Sequence, residues 1–126
     1  MILFTADEII LLHHKLILAT GGMPGLRDRG LLESAVFSMY AGFGDAEQYP
    51  SIEEKAARLA FSLVSNHAFA DGNKRIGMLA MLTTLSLNGV SLSYTQTELI
   101  QLGLSVADGK VECDGILEWI KVHKGV

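Results

Sequence analysis

Apolar residues recur at helical spacing along most of the chain. After Thr5 they form one stripe, made of Ile9, Leu12, Leu16 and Ile17. Further stripes follow Asp28 and Ser51, and two more occupy residues 95–107 and 114–124. A period of about 3.6 residues is typical of amphipathic helices that pack on a core. Sustained alternation of apolar and polar residues, which would indicate strands, does not occur in the sequence. The pattern therefore predicts an all-α fold.

Short polar motifs predict where these helices begin. Three of them have the S/T-x-x-E capping-box pattern: Thr5 with Glu8, Ser51 with Glu54, and Thr95 with Glu98. In this box the hydroxyl accepts an orphan backbone N–H while the Glu side chain reaches back to the cap residue. Asp28 is a candidate cap for the second helix. Residues 40–50 are predicted to form a loop, and residues 90–94 a short extended segment.

One stretch of the chain carries no charge. Residues 76–97 contain no Asp, Glu, Lys or Arg, which raises the alternative of a membrane span. Their continuous apolar part ends near Leu87, before Asn88 and Gly89, and is too short to cross a bilayer. A helix that is apolar on nearly all sides is a buried one. We therefore expect a compact helical bundle with a central buried helix, in which residues 1–126 form a single domain.

Composition narrows the class of protein further. At 126 residues and 49% hydrophobic content, the chain is long enough to bury one real core. The net charge of −4 argues against direct binding of nucleic acid by the bulk surface. Cys113 is the single cysteine, and the N-terminus lacks the basic-then-apolar pattern of a secretory signal. These features indicate a reducing, cytoplasmic setting with no membrane partner.

The polar chemistry concentrates in residues 67–75, His-Ala-Phe-Ala-Asp-Gly-Asn-Lys-Arg. His67 follows Leu63 and Val64 by four and three residues, so it is predicted to continue the core-facing stripe to the helix end. An imidazole at that position is a candidate general base. Phe69 is the large apolar residue of the segment and is predicted to hold it down on the core.

Residues 71–75 lead into the buried helix. The first N–H groups of a helix have no partners within it and favour an anion, and Gly72 allows successive N–H groups to converge on one oxyanion. Lys74 and Arg75 in the first turn oppose the helix dipole by roughly 0.3–1 kcal/mol each, unless a polyanion is bound there. Asp71 is a candidate Mg²⁺ ligand. Together these residues supply the parts for phosphoryl or nucleotidyl transfer.

Each of these residues also has a structural interpretation. A histidine at a helix end is often a C-cap, Asp71 could cap the next helix, and Gly72 and Asn73 are ordinary turn formers. Lys74 and Arg75 could extend to solvent. His67 with Asp71 could also suggest a metal-dependent phosphodiesterase, but that ligand set is thin. The residues alone leave the functional and structural interpretations open.

The segment resembles a known family. It is similar to the Fic signature H-P-F-x-[D/E]-G-N-G-R and more closely to the variant H-x-F-x-D-x-N-K-R of Doc (death-on-curing) toxins. The matching positions are His67, Phe69, Asp71, Asn73, Lys74 and Arg75. Residues 20–28 and 49–57 also look like Doc-family sequence, so the resemblance covers nearly the whole chain.

The resemblance implies a function and a role for each residue. A Doc-type toxin of a toxin–antitoxin pair transfers a phosphoryl group from Mg-ATP to a protein hydroxyl; a threonine of elongation factor Tu is the implied target, so translation stops. His67 would be the general base and Asp71 would hold Mg²⁺. Gly72 and Asn73 would form the anion-binding loop, while Lys74 and Arg75 would grip the nucleotide phosphates. The implied partner is an antitoxin whose C-terminal segment folds into the active-site groove.

Lys74 bears on the choice between two reactions. Fic AMP-transferases usually have Gly at this position, whereas the lysine of Doc-like relatives goes with phosphorylation. We therefore favour a kinase over the alternative, an AMP-transferase. A catalytically silent partner-binding module is a second alternative.

Four residues outside the segment are expected to have structural or surface roles and no catalytic role. Arg27 is expected to serve in a helix cap or a structural ion pair. His13 and His14 are expected at the surface or the core edge, and His123 in solvent.

Overall fold

The computed structural model describes residues 1–125, and six α-helices make up most of this part of the chain. In chain order they are α1 (Ala6–Thr20), α2 (Arg29–Phe37), α3 (Ile52–Asn66), α4 (Asn73–Leu87), α5 (Gln96–Ala107) and α6 (Cys113–His123). The predicted all-α class is confirmed. None of the described helices combines the length and the apolar character needed to cross a membrane.

All three predicted capping boxes form. Thr5, Ser51 and Thr95 each accept the backbone N–H of the Glu three residues later, and each Glu carboxylate accepts the N–H of its cap residue. Asp28 caps α2 by accepting the N–H of Leu31 at 3.0 Å. The helix starts could be predicted because capping depends on residues only three positions apart.

The predicted loop at residues 40–50 contains a small hairpin. A 3-10 turn (Ser38–Tyr40) precedes two antiparallel strands, β1 (Gly42–Phe43) and β2 (Ala46–Glu47). The buried ammonium of Lys55 on α3 holds this region, since it donates to Met39 O, Glu47 Oε1 and Tyr49 O. Its three protons therefore have three acceptors, as burial of an ammonium requires.

The α4 helix lies between two parts of the core, as predicted for the central helix. Ile76 and Ala80 pack in a cluster with residues of α1, α2 and α3. Met81 and Leu85 pack in a second cluster with residues of α3, α5 and α6. Gly77 lets α4 cross α3 closely, because a Cβ there would lie 2.6 Å from Val64 Cγ2. This crossing brings the end of α3 to the start of α4.

The end of α6 is tied to the start of α5 by His123. Its Nδ1 lies 2.7 Å from Trp119 O, and its Nε2 lies 2.7 Å from Glu98 Oε2. A carbonyl and an ionised carboxylate only accept hydrogen bonds, so both ring nitrogens must donate and the imidazole is protonated. The expectation that His123 is simply solvated was wrong. The hydrogen bond with Glu98 raises the pKa of His123, and the same bond lowers the pKa of Glu98 to about 2.

This pair predicts a pH-dependent stability. The Glu98 contribution is present above the ordinary carboxyl pKa of 4.5 and is lost as the pH falls toward 2. The His123 contribution is full below the ordinary imidazole pKa of 6.5 and is lost as the pH rises through the raised value. Their joint effect is therefore greatest between these two ordinary values.

Glu98→Gln should reduce the loss of stability between about pH 6 and about pH 9, measured by thermal unfolding. Glu8→Gln is the matched control, because Glu8 closes the same kind of capping box and makes no ion pair with a histidine among the described residues. Equal pH dependence in the wild type and Glu98→Gln would contradict the assignment.

Candidate active site

The predicted site residues line one cleft. It has a volume of about 500 Å³ and is bordered by His67, Ala70, Asp71, Gly72, Asn73, Lys74, Arg75 and Ala107. The segment 67–75 supplies all of these residues except Ala107, which ends α5. Phe69 does not border the cleft; it is buried in the core, as predicted.

His67 is presented to the cleft by a left-handed turn. The α3 helix ends at Asn66, and His67 has φ 52° and ψ 48°. Among the described residues it is the one non-glycine residue with a positive φ. The turn ends the helix and leaves His67 exposed, so the prediction that it continues the core-facing stripe was wrong. Such a conformation costs about 1–3 kcal/mol and persists only where its surroundings hold it.

Arg27 holds this turn. Its Nε donates to the carbonyl oxygen of His67 at 2.9 Å, and its Nη2 donates to the same oxygen. The backbone N–H groups of Arg27 and Asp28 both donate to Ala68 O, at 2.8 and 3.0 Å. The sequence had suggested a helix cap or an ion pair for Arg27. In the described part of the chain its guanidinium instead donates to a backbone carbonyl and forms no ion pair. Through its side chain and its backbone N–H, Arg27 binds the carbonyl oxygens of two successive residues, His67 and Ala68.

Asn73 closes the loop over Phe69. Its Oδ1 accepts the N–H of Phe69 at 3.1 Å, and its Nδ2 donates to Phe69 O at 3.0 Å. Both polar atoms of the amide are thus used within the loop. The side chain of Asn73 is therefore not available to a ligand in the cleft, whereas its backbone N–H is.

Asp71 is held in an ionised state. Gly72 N–H donates to Oδ1 at 2.8 Å, and Met23 N–H donates to Oδ2 at 3.0 Å. Arg75 Nη2 lies 3.7 Å from Oδ2. The hydrogen bonds from Met23 and Gly72, and to a lesser extent the charge of Arg75, lower the pKa of Asp71. The carboxylate is half-buried and keeps lone pairs for a further ligand.

The carboxylate of Asp71 suits a magnesium ion better than a metal that needs several protein ligands. Among residues 1–125, no group of three His, Cys, Asp or Glu side chains gathers to hold a metal. Mg²⁺ is commonly held by one or two carboxylates together with substrate phosphates and water. A single carboxylate beside a helix start whose electrostatics favour an anion fits that pattern.

His13 is a site residue that sequence reasoning missed. It is buried, its Nε2 lies 2.8 Å from Asp71 O, and its ring stacks on Phe69 with centroids 3.8 Å apart. The expectation of a surface or core-edge position was wrong. One signal was available, because His13 is four residues from both Ile9 and Ile17 and so shares their apolar stripe. His14 is exposed.

The start of α4 offers free N–H groups to the cleft. Gly72 caps the helix in a left-handed conformation, φ 77°, with no side-chain cap. The first N–H bonded within the helix is that of Ile76, to Gly72 O. The N–H groups of residues 73–75 meet no acceptor among the described residues. These groups make the helix start a favourable place for an anion.

The two cations at this helix start differ in their contacts. Lys74 is exposed and makes no ion pair or hydrogen bond through its ammonium within the described residues. Arg75 is anchored to the end of α1, since its Nη1 donates to Thr20 Oγ1 at 2.6 Å and to Gly21 O at 2.7 Å. Lys74 is thus free to move with a ligand, whereas Arg75 is fixed.

Residues 3–85, which include the whole 67–75 segment, match the model of the Fic/DOC family. The chain belongs to the Fic/DOC family. It is 45% identical over 76 residues to "Toxin Doc" of Mycolicibacterium smegmatis, which is 60% of this chain and 58% of that protein. It is 28% identical over 115 residues to "Protein kinase doc" of Escherichia phage P1, which is 91% of this chain and 90% of the phage protein. The chain thus spans little more than half of the mycobacterial relative and nearly all of the phage relative.

In this Fic/DOC chain the α1–α2 loop approaches the site so closely that a side chain on Gly22 would displace two side chains of the site. A Cβ on Gly22 would lie 2.6 Å from Asp71 Oδ2 and 2.9 Å from Arg75 Nη2. Gly25 has a similar φ, +115° against +120°, yet a Cβ there would meet nothing within 4 Å. An alanine at either position would suffer similar backbone strain, but only an alanine at position 22 would collide with the site.

Gly22→Ala should lower the free energy of unfolding by about 1–3 kcal/mol more than Gly25→Ala, because only the first overpacks the Asp71–Arg75 pair. Urea unfolding of both variants measures this difference. Equal losses would mean that the loop does not press on Asp71 as described.

Proposed function

We propose that this chain is a toxin that transfers the γ-phosphoryl group of ATP to a hydroxyl of a target protein. The observation that carries the proposal is the cleft itself, which unites an exposed imidazole, an ionised carboxylate and a free helix start bearing two cations. Phosphoryl transfer is catalysed mainly by positioning and charge neutralisation, and these residue types supply both. The names of the two relatives, a toxin and a protein kinase, agree with this class of activity.

The start of α4 is the proposed phosphate site. Within residues 1–125, the N–H groups of Asn73, Lys74 and Arg75 meet no acceptor, and they lie at a helix N-terminus, where partial positive charge accumulates. The Lys74 ammonium is free to reach a phosphate oxygen. Arg75, fixed by Thr20 and Gly21, adds a charge whose position changes little when the ligand arrives. Such preorganisation lowers the reorganisation required during reaction.

Asp71 is the proposed Mg²⁺ ligand. When bound there, Mg²⁺ would neutralise charge on the phosphates and orient them. The contribution of this chain is to keep the carboxylate ionised and fixed, which the N–H groups of Met23 and Gly72 do.

His67 is the proposed general base. Its ring is exposed on the cleft, and its backbone carbonyl is held by Arg27. A neutral imidazole can take a proton from an approaching hydroxyl. The family resemblance extends the proposal to a threonine of elongation factor Tu and hence to a block of translation.

Lys74 favours phosphorylation over AMP transfer. It stands in the first turn of α4, where Fic AMP-transferases usually have Gly, and it crowds the site for one phosphate. We propose that the nucleotide therefore binds with its terminal phosphate toward the target. AMP transfer remains the runner-up.

With wild-type protein and a cell extract, label from γ-labelled ATP should move to a protein, whereas label from α-labelled ATP should not. His67→Ala should lower this transfer by about 100-fold or more, the usual range for loss of a general base. His14→Ala, a change at an exposed histidine of α1, is the control and should retain the activity. Transfer of the α-label would establish AMP transfer instead. Growth inhibition unaffected by His67→Ala would support a catalytically silent partner-binding module.

A second surface beside the cleft supports an antitoxin partner. An apolar groove of about 470 Å³ lies between α1, α4 and α5, lined among others by Leu16, Leu79, Ile100 and Leu104. Lys74 and Arg75 border both this groove and the cleft. We propose that the C-terminal segment of an antitoxin folds here, with apolar residues in the groove and acidic residues near the two cations.

Ile100→Asp should weaken neutralisation by such an antitoxin while phosphoryl transfer persists, because it places a charge in the apolar groove. Leu18→Asp is the matched control, since Leu18 is also exposed but lies outside the groove. An antitoxin selected for rescue of growth allows both variants to be compared. Equal neutralisation of Ile100→Asp and the wild type would place the antitoxin elsewhere.

A further inference from the structure

We infer that His13 is a positioning residue that sets the direction of the Asp71 carboxylate through the peptide group between Asp71 and Gly72. This inference rests on the proposed role of Asp71 as the Mg²⁺ ligand. His13 touches neither the cleft nor, in the proposed mechanism, the nucleotide. Its effect would pass entirely through the backbone.

The hydrogen bond fixes the chemical state of one ring nitrogen. Nε2 of His13 lies 2.8 Å from Asp71 O. A carbonyl oxygen cannot donate, so Nε2 must carry a proton and donate it. The ring is buried and stacked on Phe69 at an interplanar angle of 12°, which prevents it from turning away. The donor is therefore held at a fixed position at the middle of α1.

The same peptide group carries both hydrogen bonds that matter. Its C=O end accepts from His13, and its N–H end, which belongs to Gly72, donates to Asp71 Oδ1 at 2.8 Å. Because a peptide group is planar and trans, its C=O and N–H point in opposite directions and cannot turn independently. Fixing the oxygen therefore fixes the N–H, and with it one oxygen of the carboxylate.

The second carboxylate oxygen is held from the same side of the molecule. Asp71 Oδ2 accepts the N–H of Met23, in the loop that follows α1. Three hydrogen bonds thus converge on one residue, and two of them start from α1 or the loop beyond it. Gly72 has φ 77° and no Cβ, so backbone rotations other than the observed one are also accessible to it. Without the His13 donor, the peptide could rotate and release Oδ1.

Two variants separate hydrogen bonding from packing. His13→Phe keeps a stacked ring on Phe69 and removes the donor. His13→Gln loses the ring but places an N–H donor the same number of bonds from the backbone. His14→Phe, at the adjacent exposed histidine, is the control. Thermal unfolding of each variant reports any loss of stability separately from the measurements below.

Amide hydrogen exchange at Gly72 tests the inference without nucleotide. His13→Phe should accelerate exchange at this amide, whereas His13→Gln and His14→Phe should not. The Mg²⁺ concentration needed for half-maximal binding of ATP, followed by calorimetry, should rise roughly 10- to 100-fold in His13→Phe, the usual cost of losing a residue that orients a metal ligand. His13→Gln should recover most of this loss.

Several outcomes would overturn the inference. One is unchanged Gly72 exchange in His13→Phe. Another is a defect in His13→Gln with none in His13→Phe, which would indicate that packing of the ring, not the hydrogen bond, is what matters. Nitrogen NMR of the wild-type ring gives a check that needs no variant, because a proton absent from Nε2 would contradict the hydrogen bond directly. If the wild type bound no Mg-ATP at all, the proposed function would fail, while the exchange and NMR results would still decide the role of His13.

Discussion

The anchoring of Phe69 in the core is the constraint on which the cleft depends. Its side chain is buried between α1, α2 and α3, its ring is covered by His13, and both polar atoms of its backbone are bonded by Asn73. His67 and Asp71 lie two residues to either side of it. Because this midpoint is anchored, His67 and Asp71 are held on either side of it. Preorganisation of this kind is what catalysis by positioning requires.

Positive charge is concentrated at the start of α4. Lys74 and Arg75 lie where the dipole of α4 disfavours cations, and the N–H groups of the same turn are unpaired among the described residues. Asp71 offsets part of this, since it lies 3.7 Å from Arg75 and is itself kept ionised by backbone N–H groups. The remaining positive character is local, on a chain whose net charge is −4. A polyphosphate is the ligand class that this local excess fits best.

Sequence reasoning succeeded where the determining interactions are local. The three capping boxes, the Asp28 cap and the buried α4 depend on residues a few positions apart, and all were confirmed. The polar residues of segment 67–75 are contiguous, which drew attention to it, but only the family resemblance favoured a functional interpretation.

The contacts that hold the backbone of the site, made by His13 and Arg27, could not be predicted in the same way. His13 is 58 residues from Asp71 and Arg27 is 40 residues from His67, and each acts on a carbonyl group that every residue possesses. No pattern of side chains in the sequence predicts such a contact. The structural interpretation of His67 as a helix C-cap is confirmed, but its left-handed conformation was not predicted.

The claim at the centre of this account is that the start of α4 binds a polyphosphate in the cleft shared with His67. Titration of nitrogen-labelled protein with Mg-ATP, followed by NMR, tests it most directly. The account predicts saturable changes at the amides of Asn73, Lys74 and Arg75, with smaller changes at His67. Saturable binding that left those three amides unchanged, or no binding at all, would contradict it.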